Sequence, residues 1–264
     1  MNRGKLIAKE GLDGCGKKTQ SERLVNYLNS IGKKSMYITF PNYGSESSAL
    51  VKMFLDGKLG DDPTKLSPYA ISSMYALDRY ISYINEWKKY YDDGYWIVSD
   101  RYTMSNMIYQ SLSIYKNNLD KGYDKNSKLY EIMNDFYKWV EKYEHEYLGL
   151  PVPDKTIFLN MKPENSIRLM KERSDNKHSS KDVYEDNIEL IKQIYEVTNI
   201  CLIQYIKTTI YTDLTSYYIS PYYKKFRIIN CDEGDKVLGI NTIQSKIIEI
   251  INNMAEFHDV IDSL

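Results

Sequence analysis

The run Gly11-Leu12-Asp13-Gly14-Cys15-Gly16-Lys17-Lys18-Thr19 has the residue types and the G-x-x-x-x-G-K spacing needed to cradle a chain of phosphates. Glycines there let successive backbone N–H groups turn inward around phosphate oxygens, and the N-terminus of a following helix adds positive potential. Lys17 would then reach the β- and γ-phosphates as a point charge, and the whole run Gly11 to Thr19 becomes the candidate ATP-binding loop. In such loops the next residue is a Ser or Thr whose hydroxyl ligates Mg²⁺. Here it is Lys18, whose ammonium cannot, and the threonine follows one place later. A metal therefore needs other anchors. Asp13 inside the loop and Asp100 at the end of a later apolar run are the carboxylates placed for it.

Positioning such a loop takes an apolar strand before it and an amphipathic helix after it, and both are present. Leu6-Ile7-Ala8 with its flanks reads as a strand, and Thr19 to Leu28 has helical periodicity through Leu24, Val25 and Leu28, closed by Gly32. Further strands are predicted at Ser35 to Phe40, at Tyr95 to Ser99 ending on Asp100, at Thr156 to Asn160, and at Phe226 to Asn230. Helical patterns fill 47–57, 67–91, 103–115, 127–147, 163–173, 183–206 and about 240–256. The second of these opens on Ser67-Pro68, a cap followed by proline at the first helical position. Strands alternating with helices predict an α/β chain with a five-stranded parallel sheet covered on both faces. Neither a repeat nor a linker interrupts it, so residues 1–264 read as one domain.

Composition narrows the partners. Thirty-five Lys and Arg against 36 Asp and Glu give a net charge of −1, which offers no electrostatic footprint for nucleic acid. The excess of 26 Tyr over 6 Phe, beside many Lys, Asn and Ile, reads as a coding bias, since these residues share AT-rich codons. Cys15, Cys201 and Cys231 are an odd count without metal-type spacing, which suits a reducing compartment. No uncharged apolar stretch approaches the ~20 residues that cross a bilayer. These features predict a soluble cytoplasmic protein with no membrane partner.

Three more motifs follow the loop in order: Phe40-Pro41-Asn42-Tyr43, Tyr75-Ala76-Leu77-Asp78-Arg79, and Asp100-Arg101-Tyr102-Thr103-Met104-Ser105-Asn106-Met107-Ile108-Tyr109-Gln110. With Gly11 to Lys17 they make the chain resemble the thymidylate kinases over most of residues 5–200, the long Asp-Arg-Tyr segment being the most specific part. The resemblance implies a three-layer P-loop kinase fold with a mobile lid, ATP as donor, dTMP as acceptor, Mg²⁺ as cofactor and a homodimer. It implies a dTMP site of Asp13, Phe40, Tyr43, Tyr75, Arg79, Arg101, Ser105, Asn106, Tyr109, Gln110 and Tyr184. Tyr75 and Arg79, four apart, share a helix face, so one can stack on a pyrimidine while the other bonds its carbonyl. By the same resemblance Asn106 reads the base edge, and Tyr109 fills the space a ribose 2′-hydroxyl would need. Arg101 can grip a phosphate bidentately. In many members of that family the residue after Phe-Pro is followed by an arginine; here the run is Asn42-Tyr43, and that phosphate contact is not carried over.

The expected lid spans about 171–185, in a polar stretch bearing Arg168, Lys171, Arg173, Lys177 and Lys181. The resemblance places a catalytic arginine in the P-loop or the lid. The loop has none, so Arg173 is the choice, beside Lys17, Arg101 and Asp13. Asp182 or Glu185 could help hold Mg²⁺ or substrate, with Glu185 joining Asp13 and Asp100 as metal candidates. Residues 207–225, rich in tyrosine, read as an insertion. The attacking phosphate oxygen is already ionised, so no general base is needed. The alternatives are a kinase of another nucleoside monophosphate, or a nucleotide-binding module impaired by Lys18.

Overall fold

β1, Lys5–Gly11, is the middle strand of the sheet, and it is buried on both faces from Leu6 onward. It pairs in parallel with β3 (Trp96–Asp100) on one side and β4 (Lys155–Asn160) on the other. β2 (Ser35–Thr39) and β5 (Phe226–Asn230) complete a five-stranded, all-parallel order β2-β3-β1-β4-β5. The computed structural model describes residues 3–60, 62–119, 127–175, 188–210 and 225–261. Most of the expected lid, with Lys177, Lys181, Asp182, Tyr184 and Glu185, and most of the expected insertion lie outside them.

Alternation along β1 sends side chains to two cores. Ile7 faces Leu24 and Leu28 of α1 (Lys17–Ser30) and Ile243, Ile247 and Ile251 of α9 (Ile240–Ile261). Leu6 and Ala8 face the opposite layer, with Trp87, Tyr91 and Tyr102. That layer also holds the largest cluster, in which Met104, Met107 and Ile108 of α5 (Thr103–Leu119) pack with Met133, Phe136 and Val140 of α6 (Ser127–Glu141). Ile194 and Val197 of α8 (Ile188–Ile210) belong to the same cluster. Helices on both faces of a parallel sheet are the α/β architecture that the sequence predicts.

Local sequence explains the ends that matter. Gly32 takes φ 78° after α1, and the Lys33 N–H reaches back to the Leu28 carbonyl at 2.9 Å, a helix stop that needs a left-handed residue. Ser67 accepts from the Ala70 N–H at 3.4 Å and Pro68 opens α3 (Pro68–Ser82). The predicted helix over 67–91 is a continuous helical path with a π-turn, Tyr83–Trp87, between α3 and α4 (Lys88–Asp92). A second π-turn, Lys142–Tyr147, extends α6. Hydrophobic periodicity does not separate a π-turn from the α-helix around it, so neither is visible in the pattern.

Further elements among the described residues include α2, Ala49–Leu55, within the predicted 47–57, and α7, Pro163–Asp175. A small antiparallel hairpin of β6 (Asp232–Glu233) and β7 (Lys236–Val237) precedes α9. The sequence gives no sign of it, because two-residue strands show no alternation. Among the described residues, no helix is long and apolar enough to cross a membrane. Because β1 lies between strands reached by oppositely directed connections, the carboxyl ends of β1 and β3 open a crevice there.

Candidate active site

The loop after β1 is shaped by glycine. A Cβ on Gly11 (φ 142°) would meet the Leu159 carbonyl oxygen at 2.6 Å, and one on Gly14 (φ 82°) would meet the Ser166 carbonyl oxygen at 2.5 Å. α1 begins directly after the loop with no side-chain cap, so its first N–H groups stay available to an anion. Lys17 is buried and donates to the carbonyls of Gly11 (3.0 Å) and Leu12 (2.7 Å), with its ammonium 3.9 Å from Asp13. α7 is fastened to the same loop, because the Ser166 hydroxyl donates to the Asp13 carbonyl.

A cavity of about 600 Å³ opens over this loop. From the phosphate side, Asp13, Gly14, Gly16, Lys17, Lys18 and Thr19 line it. From the other side come Phe40, Tyr43, Tyr75, Arg79, Ser105, Asn106, Tyr109 and Gln110. Asp100, Arg101 and Arg173 lie on its wall too. Gly11, Leu12 and Cys15 are not on the wall; the side chains of Leu12 and Cys15 are buried in the cores beneath the loop. Lys18 is exposed and sits 3.9 Å from Glu22, a solvent ion pair at the rim.

At the middle of the cavity Arg101 holds the two halves together. Its backbone sits at φ 69°, a left-handed conformation costing about 1–3 kcal/mol for a non-glycine residue. The Arg101 N–H donates to the Lys9 carbonyl at 2.9 Å, and its own carbonyl accepts from the Ser99 hydroxyl at 2.5 Å. The guanidinium pairs with Asp13, donates to Ser105 Oγ (3.2 Å) and Tyr109 Oη (3.4 Å), and lies 5.0 Å from the Tyr109 ring centre. Tyr109 Oη donates to Asp13 Oδ2 at 2.7 Å. Burial would raise the Asp13 pKa, but Arg101 and Lys17 outweigh it and hold the carboxyl well below its usual range. Under this knot Glu10, fully buried, accepts from the Tyr102 N–H (2.9 Å) and from Ser105 Oγ (2.5 Å).

The far end is a buried polar network. Arg79 is 1% exposed and Glu144 0%. Arg79 Nε donates to Glu144 Oε2 at 2.8 Å and Nη2 to Oε1 at 2.5 Å. Thr103 Oγ1 (2.8 Å) and Asn106 Nδ2 (2.9 Å) donate to the same carboxylate. Burial opposes ionisation of Glu144, and the Arg79 charge prevails, holding its pKa below the ordinary value. Removing one partner of such a pair costs about 3–5 kcal/mol, because the other charge is left buried. Asn42, directly after Phe40-Pro41, donates its amide to Glu86 (2.8 and 2.9 Å) and stays off the cavity wall, whereas Tyr43 lies on it.

Two orphaned groups lie side by side at the sheet edge. Asp100 Oδ1 is buried with no partner, while Oδ2 accepts from Tyr37 Oη at 3.4 Å. Lys9, opposite Asp100 in register, is 0% exposed and its ammonium has no hydrogen-bond partner. Burial pulls the Lys9 pKa down to about 7, with Asp100 pulling it back upward. An anionic oxygen without a partner suits Mg²⁺, a hard cation that takes oxygen ligands. Asp100 fits that role, whereas both Asp13 oxygens are engaged by Arg101 and Tyr109. Among the described residues, no cluster of three or more His, Cys, Asp or Glu forms a metal cage. Lys9, Glu10, Glu22 and Glu144 escaped the sequence reading. Only Glu10, a charge at the end of an apolar strand, carried a signal there.

Residues 10–137 match the family model described as thymidylate kinase. The thymidylate kinase of Mycobacterium tuberculosis is 31% identical over 193 residues, spanning 70% of this chain and 79% of that one. That of Plasmodium falciparum is 29% identical over 194 residues, spanning 74% and 75%. In fold, the chain is similar to the solved thymidylate kinase of Candida albicans, with a TM-score of 0.62, 23% identity, and coverage of 96% and 93%.

Proposed function

The chain belongs to the thymidylate kinase family, and we propose that it transfers the γ-phosphoryl group of ATP to dTMP, giving ADP and dTDP, with the residues that line its cavity in the roles that follow. A phosphate oxygen of dTMP attacks the γ-phosphorus, and the bond from that phosphorus to the β-bridging oxygen breaks. Both reactants are anions and no proton has to move. The protein's task is to bring the phosphates into line and to offset the charge of the transition state.

The loop N–H groups and Lys17 hold the donor phosphates. Arg101, held in place by Asp13, Ser105 and Tyr109, takes the acceptor phosphate. Arg173, near the end of α7 and on the cavity wall, supplies the cation that acts in the transition state. Tyr75 stacks on the base, Arg79 and Asn106 meet its edge, and Phe40, Tyr43 and Gln110 close the pocket round it. Tyr109 occupies the place of a ribose 2′-hydroxyl, which selects the deoxy sugar. Mg²⁺ is to be held by Asp100 together with the nucleotide's own phosphates, and when bound it neutralises phosphate charge. Tyr184 and Glu185, assigned to substrate and metal, lie outside the described residues.

One observation carries this reading: a phosphate loop and a wall bearing Tyr75, Arg79 and Asn106 share one cavity of about 600 Å³, with Arg101 also on its lining. The test is ADP release with ATP and Mg²⁺ across dTMP, dUMP, UMP and dCMP. Fastest turnover of dTMP is the expected result. ATP binding with no ADP release would instead favour a module impaired at Lys18.

The same reading makes residues 1–264 one domain of a cytoplasmic homodimer, with a lid at 171–185 and an insertion at 207–225. The three buried free cysteines fit a reducing compartment. Exposed apolar side chains on neighbouring helices, Leu50 and Met53 of α2 and Ile81 at the end of α3, fit a contact between copies. Sedimentation of the purified chain at twice its monomer mass checks the dimer.

A further inference from the structure

We propose that Glu144 is the positioning residue that fixes which pyrimidine this site accepts, by setting the hydrogen-bonding sense of Arg79 and Asn106. The inference rests on the dTMP reading and deepens it. Glu144 is not itself on the cavity wall, but bonds two residues that are, Arg79 and Asn106. It comes from the π-turn after α6, about 40 residues along the chain from Asn106, and reaches the site from behind.

The argument is an inventory of donors and acceptors. Asn106 Nδ2 has two hydrogens, and both are taken: one by Glu144 Oε1 at 2.9 Å, the other by the Ser72 carbonyl at 3.1 Å. The amide is therefore fixed with both Nδ2 hydrogens turned to Glu144 and Ser72, which leaves Oδ1 as a buried acceptor without a partner among the described residues. Arg79 gives Nε and one Nη2 hydrogen to the same carboxylate, which pins the guanidinium plane and leaves Nη1 and the second Nη2 hydrogen as donors. Both residues lie on the cavity wall. Behind the base the wall thus holds a donor group, Arg79, and an acceptor, Asn106 Oδ1, in a fixed order.

A thymine or uracil edge presents an O4 acceptor and an N3–H donor, which complements that pair. Cytosine presents an N4 amino donor and a bare N3 acceptor, so each position meets its own kind. An anionic carboxylate can accept from Arg79, Thr103 and Asn106 at once. A neutral amide at 144 has a single acceptor atom and adds two donors of its own. It would release the Asn106 amide to rotate and offer Nδ2 to the base, the arrangement cytosine wants.

The experiment measures kcat and KM of the full-length chain for dTMP, dUMP and dCMP, in wild type and in Glu144→Gln. If wild type does not phosphorylate dTMP, the proposed function itself has failed, and this shows before any variant is made. With dTMP turned over, the expected result is a kcat/KM for dUMP over dCMP of at least about 10², as for a site whose polar groups would otherwise be left unpaired. Equal use of dUMP and dCMP by wild type overturns the inference while leaving the dTMP reading intact. In Glu144→Gln the ratio is expected to narrow by about tenfold or more, with the dTMP KM rising more than kcat falls. A role in folding alone would scale both substrates together and leave the ratio unchanged, and that result overturns the inference. Should Glu144→Gln not fold, Glu144→Asp serves. Its shorter carboxylate cannot span Arg79 and Asn106 together, so the same narrowing is expected and an unchanged ratio again overturns it.

Discussion

The two ends of the cavity are built on opposite principles. The phosphate end is made of backbone: glycines in left-handed conformations, the open start of α1 and one lysine folded over the loop. The base end is made of side chains, with Arg79, Thr103, Asn106 and Glu144 sharing their hydrogen bonds out of solvent. A backbone cradle tolerates changes of side-chain type as long as its conformation survives, which is how Lys18 can stand where a hydroxyl is usual. A side-chain network has no such slack, since each member satisfies another. Substitutions at the phosphate end should therefore act on rate when they touch geometry or charge, and hardly at all otherwise.

The largest effect is expected where charge acts only in the transition state. Arg173→Ala should lower kcat on the order of 10³-fold while the KM for dTMP stays within a few-fold. Steady-state kinetics with dTMP varied at saturating ATP separates the two. A near-normal kcat would assign the cation to another residue.

Next comes geometry. Gly14→Ala forces a Cβ to within 2.5 Å of the Ser166 carbonyl and 2.8 Å of Met170, so loop and α7 must part. A displacement of about 1 Å at a phosphate-positioning loop costs about 10²-fold in rate. The expected outcome is a loss of that size in kcat/KM, together with a lower melting temperature. The control is Gly32→Ala after α1, where a Cβ meets nothing within 4 Å. There only the left-handed φ of 78° is penalised, so stability falls and kinetics do not.

The contrast between the two ends also explains what could be read from the amino acids alone. A backbone cradle has a local signature, because its glycines, lysine and flanking strand and helix are contiguous from Leu6 to Leu28. The strands and most helices were legible for the same reason: their periodicity is local. The residues of the base end were reached through motifs on single helices, Tyr75 with Arg79 and Ser105 to Gln110. Their common partner Glu144 was not, because it enters from a π-turn in an unremarkable polar run, Lys142-Tyr143-Glu144-His145-Glu146. Lys9 escaped as well. A lysine in a strand ordinarily reaches solvent, and nothing in the sequence reveals that this one, inside the central strand, is 0% exposed.

Lys9 sharpens the comparison further, since it is a charge under the phosphate end without the network that satisfies the base end. Its folded pKa of about 7 lies below the ordinary value of 10.5. Between those values the unfolded chain binds more protons than the folded one, so this group makes stability rise with pH across roughly 7 to 10.5. Below about 7 the ammonium is charged in both states and its burial cost is fully present. Lys9→Met should remove that cost, raising stability by about 1–3 kcal/mol near pH 6. It should also flatten the pH dependence of the melting temperature between pH 7 and 10, as followed by thermal denaturation. An unchanged slope would mean that Lys9 does not titrate in that window.

The smallest effect is expected where the loop departs from the Gly-Lys-Ser/Thr pattern of phosphate loops. Lys18 is 68% exposed on its side chain and, among the described residues, pairs with Glu22, itself 51% exposed, so it has little to lose. Lys18→Ser would place a hydroxyl beside the phosphates without disturbing Gly16 or Lys17. One added metal contact is comparable to a hydrogen bond of about 0.5–1.5 kcal/mol, and so to less than about tenfold in an equilibrium. The Mg²⁺ concentration giving half-maximal rate should fall by no more than that, and kcat should stay nearly constant, in an assay with ATP held fixed. A large gain in kcat would mean that Lys18 obstructs the reaction, and that the phosphate end depends on its side chains as strictly as the base end does.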